Sequence, residues 1–157
     1  MDYYEAIYGS KGGKKGLLEW IKDEVQKLCY GDQKSVSVHV NIQSDADEIR
    51  KGNFPSILIY PVSDNFEKVN DLTFKHKTNV RIISTTKGSR NKTFRRSVEW
   101  SGKLYDHFRN TFPDLEHVRH PAVGGNIDFS WEGFSRKKHR NLLLSHSAID
   151  LIYEWRL

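Results

Sequence analysis

The chain has 157 residues, a length that fits one domain and supports a hydrophobic core without disulfide bonds. Hydrophobic residues make up 37% and charged residues 29% of it, which excludes an intrinsically disordered composition. The formal net charge of +5 favours an acidic partner, such as nucleic acid or an acidic protein surface.

The single cysteine, Cys29, excludes an intrachain disulfide and is typical of a chain made in a reducing compartment. The first residues lack the basic start and apolar core of a secretory signal. No apolar run approaches the ~20 residues that span a bilayer. We therefore expect a protein made in the cytoplasm that is neither exported by a signal peptide nor inserted in a membrane.

The N-terminal part of the chain predicts an arm followed by one helix. Residues 1–16 hold an aromatic segment and then a linker of glycines and lysines. The aromatic segment, residues 3–8, fits both a helical turn or strand packed on the domain and an arm that docks on a neighbour. Apolar residues recur at helical spacing over residues 17–28, which predicts an amphipathic helix that ends near Gly31.

Two strand patterns follow this helix. Strict alternation of apolar and polar residues over residues 35–42 predicts a half-buried strand. The apolar run 57–60 lies between Pro55 and Pro61, and it predicts a central strand that is buried on both faces. Residues 62–76 are polar and show no clear period, which predicts an irregular connection that is mobile in the free subunit.

The second half of the chain predicts three more strands and a second helix. Residues 78–85 and 127–134 show strand patterns, and residues 147–157 alternate as a strand antiparallel to 127–134. Residues 94–112 show a helical apolar period. The predicted apolar face of this helix consists of Phe94, Val98, Leu104, Tyr105, Phe108 and Phe112, with Trp100 near its margin.

These elements give the order α-β-β-β-α-β-β in a single α+β domain over residues 1–157. A doubly wound parallel sheet is disfavoured, because hairpin connections dominate and only two helices are predicted. A mixed, mostly antiparallel sheet with both amphipathic helices packed on one face buries the apolar surfaces best.

Two basic loops are predicted, at residues 86–96 and 135–141. The first contains no acidic residue, and it offers small polar residues that suit contacts with phosphate. Solvated loop tips that only keep the protein soluble explain the same pattern. The candidate partner-facing or DNA-facing residues are Lys87, Arg90, Lys92, Arg95, Arg96, Arg136, Lys137 and Lys138.

The motifs of common enzymes are incomplete in this sequence. A phosphate-binding loop needs a glycine five residues before a Gly-Lys pair and a hydroxyl residue after it. The Gly-Lys pairs at 13–14 and 102–103 each lack both of these residues. A metal-dependent nuclease needs Pro-Asp before Asp/Glu-x-Lys, but Pro113-Asp114 lies far after Asp32-Gln33-Lys34. There is no Gly-x-Ser-x-Gly elbow. We expect no enzyme activity and no cofactor.

Candidate metal ligands are also sparse. His117 and His120 have the spacing of a ligand pair but lack further zinc ligands nearby, so solvated or hydrogen-bonded histidines are favoured. An acidic cluster at residues 45–48 suits a hard cation, although such clusters in polar loops are more often solvated. Cys29 is expected to be a small buried side chain rather than a nucleophile.

The layout resembles the tail-terminator and tail-completion proteins of long-tailed bacteriophages, and some of their neck-ring proteins. The likeness lies in the helix 17–28, the strands 36–42 and 55–61, the polar connection into the strand 78–85, the helix 97–112 and the late strand 148–156. It covers most of the chain but includes no diagnostic motif. This chain is more basic than the family and richer in aromatic residues in its last third.

The resemblance implies a virion subunit, often hexameric, that caps the tail tube and joins it to the head connector around a channel for DNA. It implies other neck or tail proteins as partners and no catalytic residues. Repeated around a ring axis, the basic residues would form a positive belt facing either DNA or an acidic protein ring. Two hypotheses from other classes stay open: a protein that binds double-stranded nucleic acid through loops 86–96 and 135–141, and an enzyme with an unrecognised site.

Overall fold

The computed structural model describes residues 1–30, 37–40, 56–133 and 142–157. No helix among these residues is long and apolar enough to cross a membrane. Along the chain the elements are α1 (Tyr3–Tyr8), α2 (Leu17–Tyr30), β1 (Ser37–Val40), β2 (Ser56–Asn70), β3 (Thr73–Ser89), α3 (Arg90–Phe108), β4 (Gly124–Gly133) and β5 (Leu142–Arg156). The predicted α+β class is confirmed, and α1 is added inside the predicted arm.

The strands form one sheet in the order β1-β2-β3-β5-β4. β1 is parallel to β2, and the other pairs are antiparallel, which confirms the mixed, mostly antiparallel sheet. β3 is the middle strand, and β2 lies beside it. The register places Ile59, Ile82, Ile149 and Ile127 in one row across four strands.

One face of the sheet carries the core. α2 packs against β1 and β2, while α3 packs against β3 and β5. Both helices contribute to a single cluster of buried apolar side chains with this face. The prediction that 57–60 is buried on both faces is wrong in part, because Ile57 and Ile59 are buried but Leu58 and Tyr60 are only half-buried. These two lie on the opposite face, which also carries the ion pair of Arg81 with Asp150.

Residues 62–76 form regular structure, so the predicted irregular connection is wrong. β2 and β3 pair continuously from Ser56 opposite Thr85 to Asn70 opposite Thr73, with two register shifts. The first shift follows Pro61, which suits a residue that lacks an N–H donor. Much of this ribbon is exposed, so it lacks the apolar alternation by which strands are recognised, although its backbone groups are paired.

The prediction of a basic loop at residues 86–96 is also wrong. β3 continues to Ser89, and α3 follows directly from Arg90 and ends at Phe108. The helix is rotated from its predicted orientation, since Val98 is 58% exposed. The buried face consists of Thr93, Ser97, Trp100, Ser101, Leu104 and Phe108. Small hydroxyl side chains let the helix approach the sheet closely, and the Oγ atoms of Ser97 and Ser145 lie 2.7 Å apart.

The aromatic segment of the N-terminal arm is a helical turn packed on the domain. Ala6 and Ile7 of α1 are buried, and the carboxylate of Asp2 accepts a hydrogen bond from the backbone N–H of Glu5 at 2.8 Å. Gly9 ends the helix with a φ of 87°, a conformation that favours glycine.

Candidate functional site

The basic residues of the first predicted loop lie at one end of the sheet on rigid elements. Lys87 lies near the end of β3. The other four basic residues lie in the first two turns of α3. All five side chains are exposed. We call Arg90, Lys92, Arg95 and Arg96 the basic segment.

Among the residues that the structure describes, this placement is electrostatically unfavourable. The start of a helix carries the positive end of its macrodipole, which repels cations by about 0.3–1 kcal/mol each at exposed positions. The first turn of α3 has no acidic residue to offset this. Among the described residues, no member of the basic segment forms an ion pair with a carboxylate. The geometry therefore suits an anionic group supplied from outside the described part of the chain.

Aromatic side chains flank the basic segment, which the sequence alone did not reveal. Phe94 packs edge to face on Trp131, with ring centroids 5.5 Å apart, and the guanidinium of Arg90 lies 6.0 Å from the centre of the Phe94 ring. Trp131 and Phe129 are both largely exposed on β4. Only the pairing of β4 with β5 brings them beside α3, so spacing along the chain gave no signal.

The second group of candidates, Arg136, Lys137 and Lys138, lies outside the described residues, as does the predicted loop 135–141. The structure describes the residues on either side of this segment, Gly133 and Leu142. Leu142 pairs with Ser89, and Gly133 pairs with Leu143. Both flanking residues therefore lie at the end of the sheet where the basic segment begins.

The opposite end of the sheet carries an apolar hairpin arm, which we define as residues 61–75. β1 pairs with β2 only as far as Ile59, so no described strand covers the outer side of β2 along the arm. Leu72, at the tip, is 91% exposed, and Val69 beside it is also exposed. The tip of the hairpin arm therefore presents two apolar side chains to solvent in the single chain.

A pocket of about 510 Å³ lies at the base of the hairpin arm. The residues that line this hairpin pocket are Tyr3, Asp64, Phe66, Phe74, His76 and Leu157. His76 stacks on Trp155 with ring centroids 4.4 Å apart, and Tyr3 also stacks on Trp155 at 6.0 Å. An N-terminal helix, the hairpin and the C-terminal residue therefore build one aromatic site.

The carboxylate of Asp64 is the acidic group of the hairpin pocket. Its side chain is only 10% exposed, and its Oδ2 atom lies 3.1 Å from the Thr78 hydroxyl, which donates to it, and 3.2 Å from Nδ1 of His76. Its Oδ1 atom is buried and accepts no hydrogen bond from the described residues. Burial, and then the nearby Asp64 carboxylate, raise the pKa of Tyr3 to about 12.

A second cavity of about 500 Å³ lies between the end of α3 and the start of β4. Tyr105 of α3 and Arg109, which follows the helix, line it together with residues 122–127. The Arg109 guanidinium lies over the Tyr105 ring at 5.1 Å and 3.6 Å from the Asp106 carboxylate, so neighbours along the chain already engage it.

The two histidines considered as metal ligands, His117 and His120, lie in different environments. Nε2 of His117 donates a hydrogen bond to the Ala6 carbonyl oxygen at 2.9 Å, and the His117 ring packs edge to face on Trp155. Burial lowers the pKa of His117. His120 is exposed. No group of three or more potential metal ligands occurs in the described ranges, and the acidic cluster at 45–48 lies outside them.

Comparisons with known proteins give little likeness in sequence. No protein-family model matches the chain, and no curated protein matches it. Among solved structures, it is similar to a chain of the "Virion of native gene transfer agent (GTA) particle", with a TM-score of 0.48 and 9% sequence identity over 88% of this chain and 94% of that chain. A likeness at this level assigns neither a family nor a function.

Proposed function

We propose that this chain is a structural subunit of a ring in the neck or tail of a phage-like virion. In that role it caps the tail tube, joins it to the head connector and leaves a channel for DNA. The resemblance in element layout suggests this class of protein and a hexamer. We also propose that the role is not enzymatic, because every catalytic motif tested in the sequence is incomplete.

The observation that carries the proposal is the exposed apolar tip of the hairpin arm. Leu72 and Val69 project at the end of a long ribbon, where no described part of the same chain can cover them. Burying apolar surface is favourable by about 25 cal/mol per Å², so a neighbouring subunit that covers the tip gains stability. A ring supplies such a neighbour to every copy.

The mass of the purified chain in solution tests this proposal. We expect a discrete oligomer, with six copies favoured, rather than the 18.3 kDa of one chain. The double variant Val69→Ser/Leu72→Ser should be monomeric and folded, because both side chains are exposed in the single chain. The matched control Phe112→Ser/Val123→Ser removes two exposed apolar side chains elsewhere and should keep the oligomer.

Two results would count against this proposal, one against the ring and one against the role of the hairpin arm. A wild-type protein that stays at the mass of one chain at high concentration, as measured by light scattering, contradicts self-assembly. An oligomer that persists in the Val69→Ser/Leu72→Ser variant shows that the hairpin arm does not hold the ring together.

The alternative is a protein that binds double-stranded nucleic acid, and the basic segment favours it. Four cations and the positive end of the α3 dipole lie at one end of the sheet. Under this alternative, DNA affinity falls steeply with salt, and replacing Lys87, Arg90 and Lys92 with serine lowers the salt slope by about 0.9 for each lost phosphate contact. Absence of binding to duplex DNA at low salt would eliminate it.

A further inference from the structure

The hairpin pocket combines aromatic faces with a buried carboxylate that has an unused acceptor. Tyr3, Phe66, Phe74 and His76 supply the rings, and the Oδ1 atom of Asp64 accepts no hydrogen bond from the described residues. The Asp64 carboxylate therefore gives this mainly aromatic pocket a negatively charged group, whose Oδ2 atom is already engaged by Thr78 and His76.

The chemistry of the pocket selects a cation. Aromatic faces attract Lys and Arg side chains, and the attraction grows when the pair is shielded from water. An anion would be repelled by Asp64, and a purely apolar occupant would offer no hydrogen bond or charge to its carboxylate. A guanidinium group meets both features best, because it stacks flat on rings while its N–H groups donate to a carboxylate.

We propose that the hairpin pocket binds a guanidinium group from the basic segment of a second copy of this chain. This inference rests on the ring subunit proposed above and identifies the contact between its neighbours. The donor is an arginine of the first two turns of α3, where Arg95 and Arg96 are exposed and Arg90 lies over its own Phe94 ring.

The positions of the two surfaces support a head-to-tail contact. The pocket residues Phe74 and His76 lie near the start of β3, and the basic segment follows its last residue, Ser89. Fifteen or so residues of strand separate the surfaces by about 50 Å. Two different, complementary surfaces at opposite ends of a subunit make a heterologous interface, which closes into a ring when the rotation between copies permits.

Charge and exposed apolar groups match across this contact. The basic segment has no described carboxylate as an ion-pair partner and carries the positive end of a helix dipole. The pocket offers the missing carboxylate. Trp131 beside the basic segment and Phe66 at the rim of the pocket are both more than half exposed, so each surface also has an aromatic group to bury.

A complementation experiment tests the contact directly. Asp64→Asn disables the pocket, and Arg90→Ser/Arg95→Ser/Arg96→Ser disables the basic segment. Each variant alone should lose the wild-type oligomer. Mixed in equal amounts, they retain one intact contact per pair and should form a heterodimer at twice the mass of one chain. Asp71→Asn, which removes an exposed carboxylate of the same hairpin, and Arg119→Ser serve as controls and should assemble normally.

A second pocket variant guards against loss of folding, since Asp64 also holds Thr78 and His76. Phe66→Ser changes a side chain that is 67% exposed, and Phe112→Ser changes another phenylalanine with the same 67% exposure, outside both surfaces. We expect Phe66→Ser to lose the oligomer and Phe112→Ser to keep it. If both pocket variants assemble like the wild type, the pocket proposal is wrong while the ring stands.

A peptide tests the pocket even if the wild-type chain is monomeric and the ring proposal fails. The probe is a synthetic peptide with the sequence of residues 87–97, titrated into the full chain by calorimetry. Saturable binding of one peptide per chain, weakened at least tenfold by Asp64→Asn but unchanged by Asp71→Asn, supports the pocket. Equal binding to the wild type and Asp64→Asn, or no binding to either, overturns it.

Discussion

Glu24 joins helices α2 and α3 through a carboxylate with two hydrogen-bond partners. Its oxygens lie 2.9 Å from Nζ of Lys27 and 2.7 Å from Nε2 of His107. Burial alone would raise the pKa of Glu24, but the hydrogen bonds from Lys27 and His107 outweigh it and hold the pKa below its usual value. A carboxylate whose pKa is lower in the folded than in the unfolded chain stabilises the folded state at pH values above the unfolded-state pKa of about 4.5. This stabilisation is lost as the pH falls through the lower, folded-state pKa.

We expect Glu24→Gln to lower the free energy of unfolding by about 1–2 kcal/mol at pH 7, because charged hydrogen bonds of this kind contribute about that much. The difference from wild type should shrink below pH 4.5, where the wild-type carboxylate also becomes protonated. Urea unfolding at pH 7 and pH 3.5 measures both values. Glu19→Gln, an exposed change on the same helix, is the control, and a Glu24→Gln effect that does not depend on pH would contradict this account.

Half of the buried residues of helix α3 are serine or threonine. Ser97 and Ser101 are one turn apart on its buried face, but their hydroxyls differ in environment. The Ser97 hydroxyl lies within hydrogen-bond distance of the Ser145 hydroxyl, whereas the Ser101 hydroxyl is buried without a described partner. Removing one partner of a buried pair leaves the other unsatisfied, while removing an orphan relieves a cost already present.

The two serines should therefore respond in opposite directions to the same substitution. We expect Ser97→Ala to lower the free energy of unfolding by about 1–3 kcal/mol, and Ser101→Ala to be neutral or stabilising by up to about 1 kcal/mol. Thermal and urea unfolding of the two variants give the comparison. Equal destabilisation by both changes would show that the hydroxyl pairing does not determine the packing of this helix.

The whole molecule is organised around β3, which pairs with β2 on one side and with β5 on the other. Its middle residues carry the core side chains Val80 and Ile82. The tip of the hairpin arm has no such support, since its side chains are exposed and β5 pairs with β3 only from Lys75 onward. Amides in well-packed central strands exchange only through large opening motions, and exposed ribbon ends open locally.

We expect amide hydrogen exchange to be slowest at residues 80–84 and 149–153 and faster by orders of magnitude at residues 68–73. In the oligomer, exchange at the tip should slow, because a neighbouring copy covers it, while the central strands change little. Mass spectrometry of the wild type and the Val69→Ser/Leu72→Ser variant provides the comparison. A tip that is as protected in the monomer as Val80 would show that it is stabilised within its own chain.

The elements whose apolar residues face the core could be predicted from the amino-acid sequence. Helix α2 and the strand patterns at 78–85 and 147–157 followed from burial on one face, which leaves a period in the chain, while the strand at 57–60 followed from a short apolar run between prolines. The sequence also identified the basic residues 87–96 as a group. The predicted apolar face of α3 was right for Leu104 and Phe108 but wrong for Val98 and Tyr105. Serine and threonine, which give no apolar signal, form half of the buried face.

The neighbours that these residues have in space could not be predicted from local spacing. The exposed part of the β2–β3 ribbon buries little apolar surface, so it has no period, and strand pairing alone makes it regular. The hairpin pocket joins residues 3, 64–76 and 157, and the aromatic groups beside the basic segment come from β4. These neighbours are set by sheet register and by chain ends that meet in space, and contacts between distant segments leave no mark on local spacing.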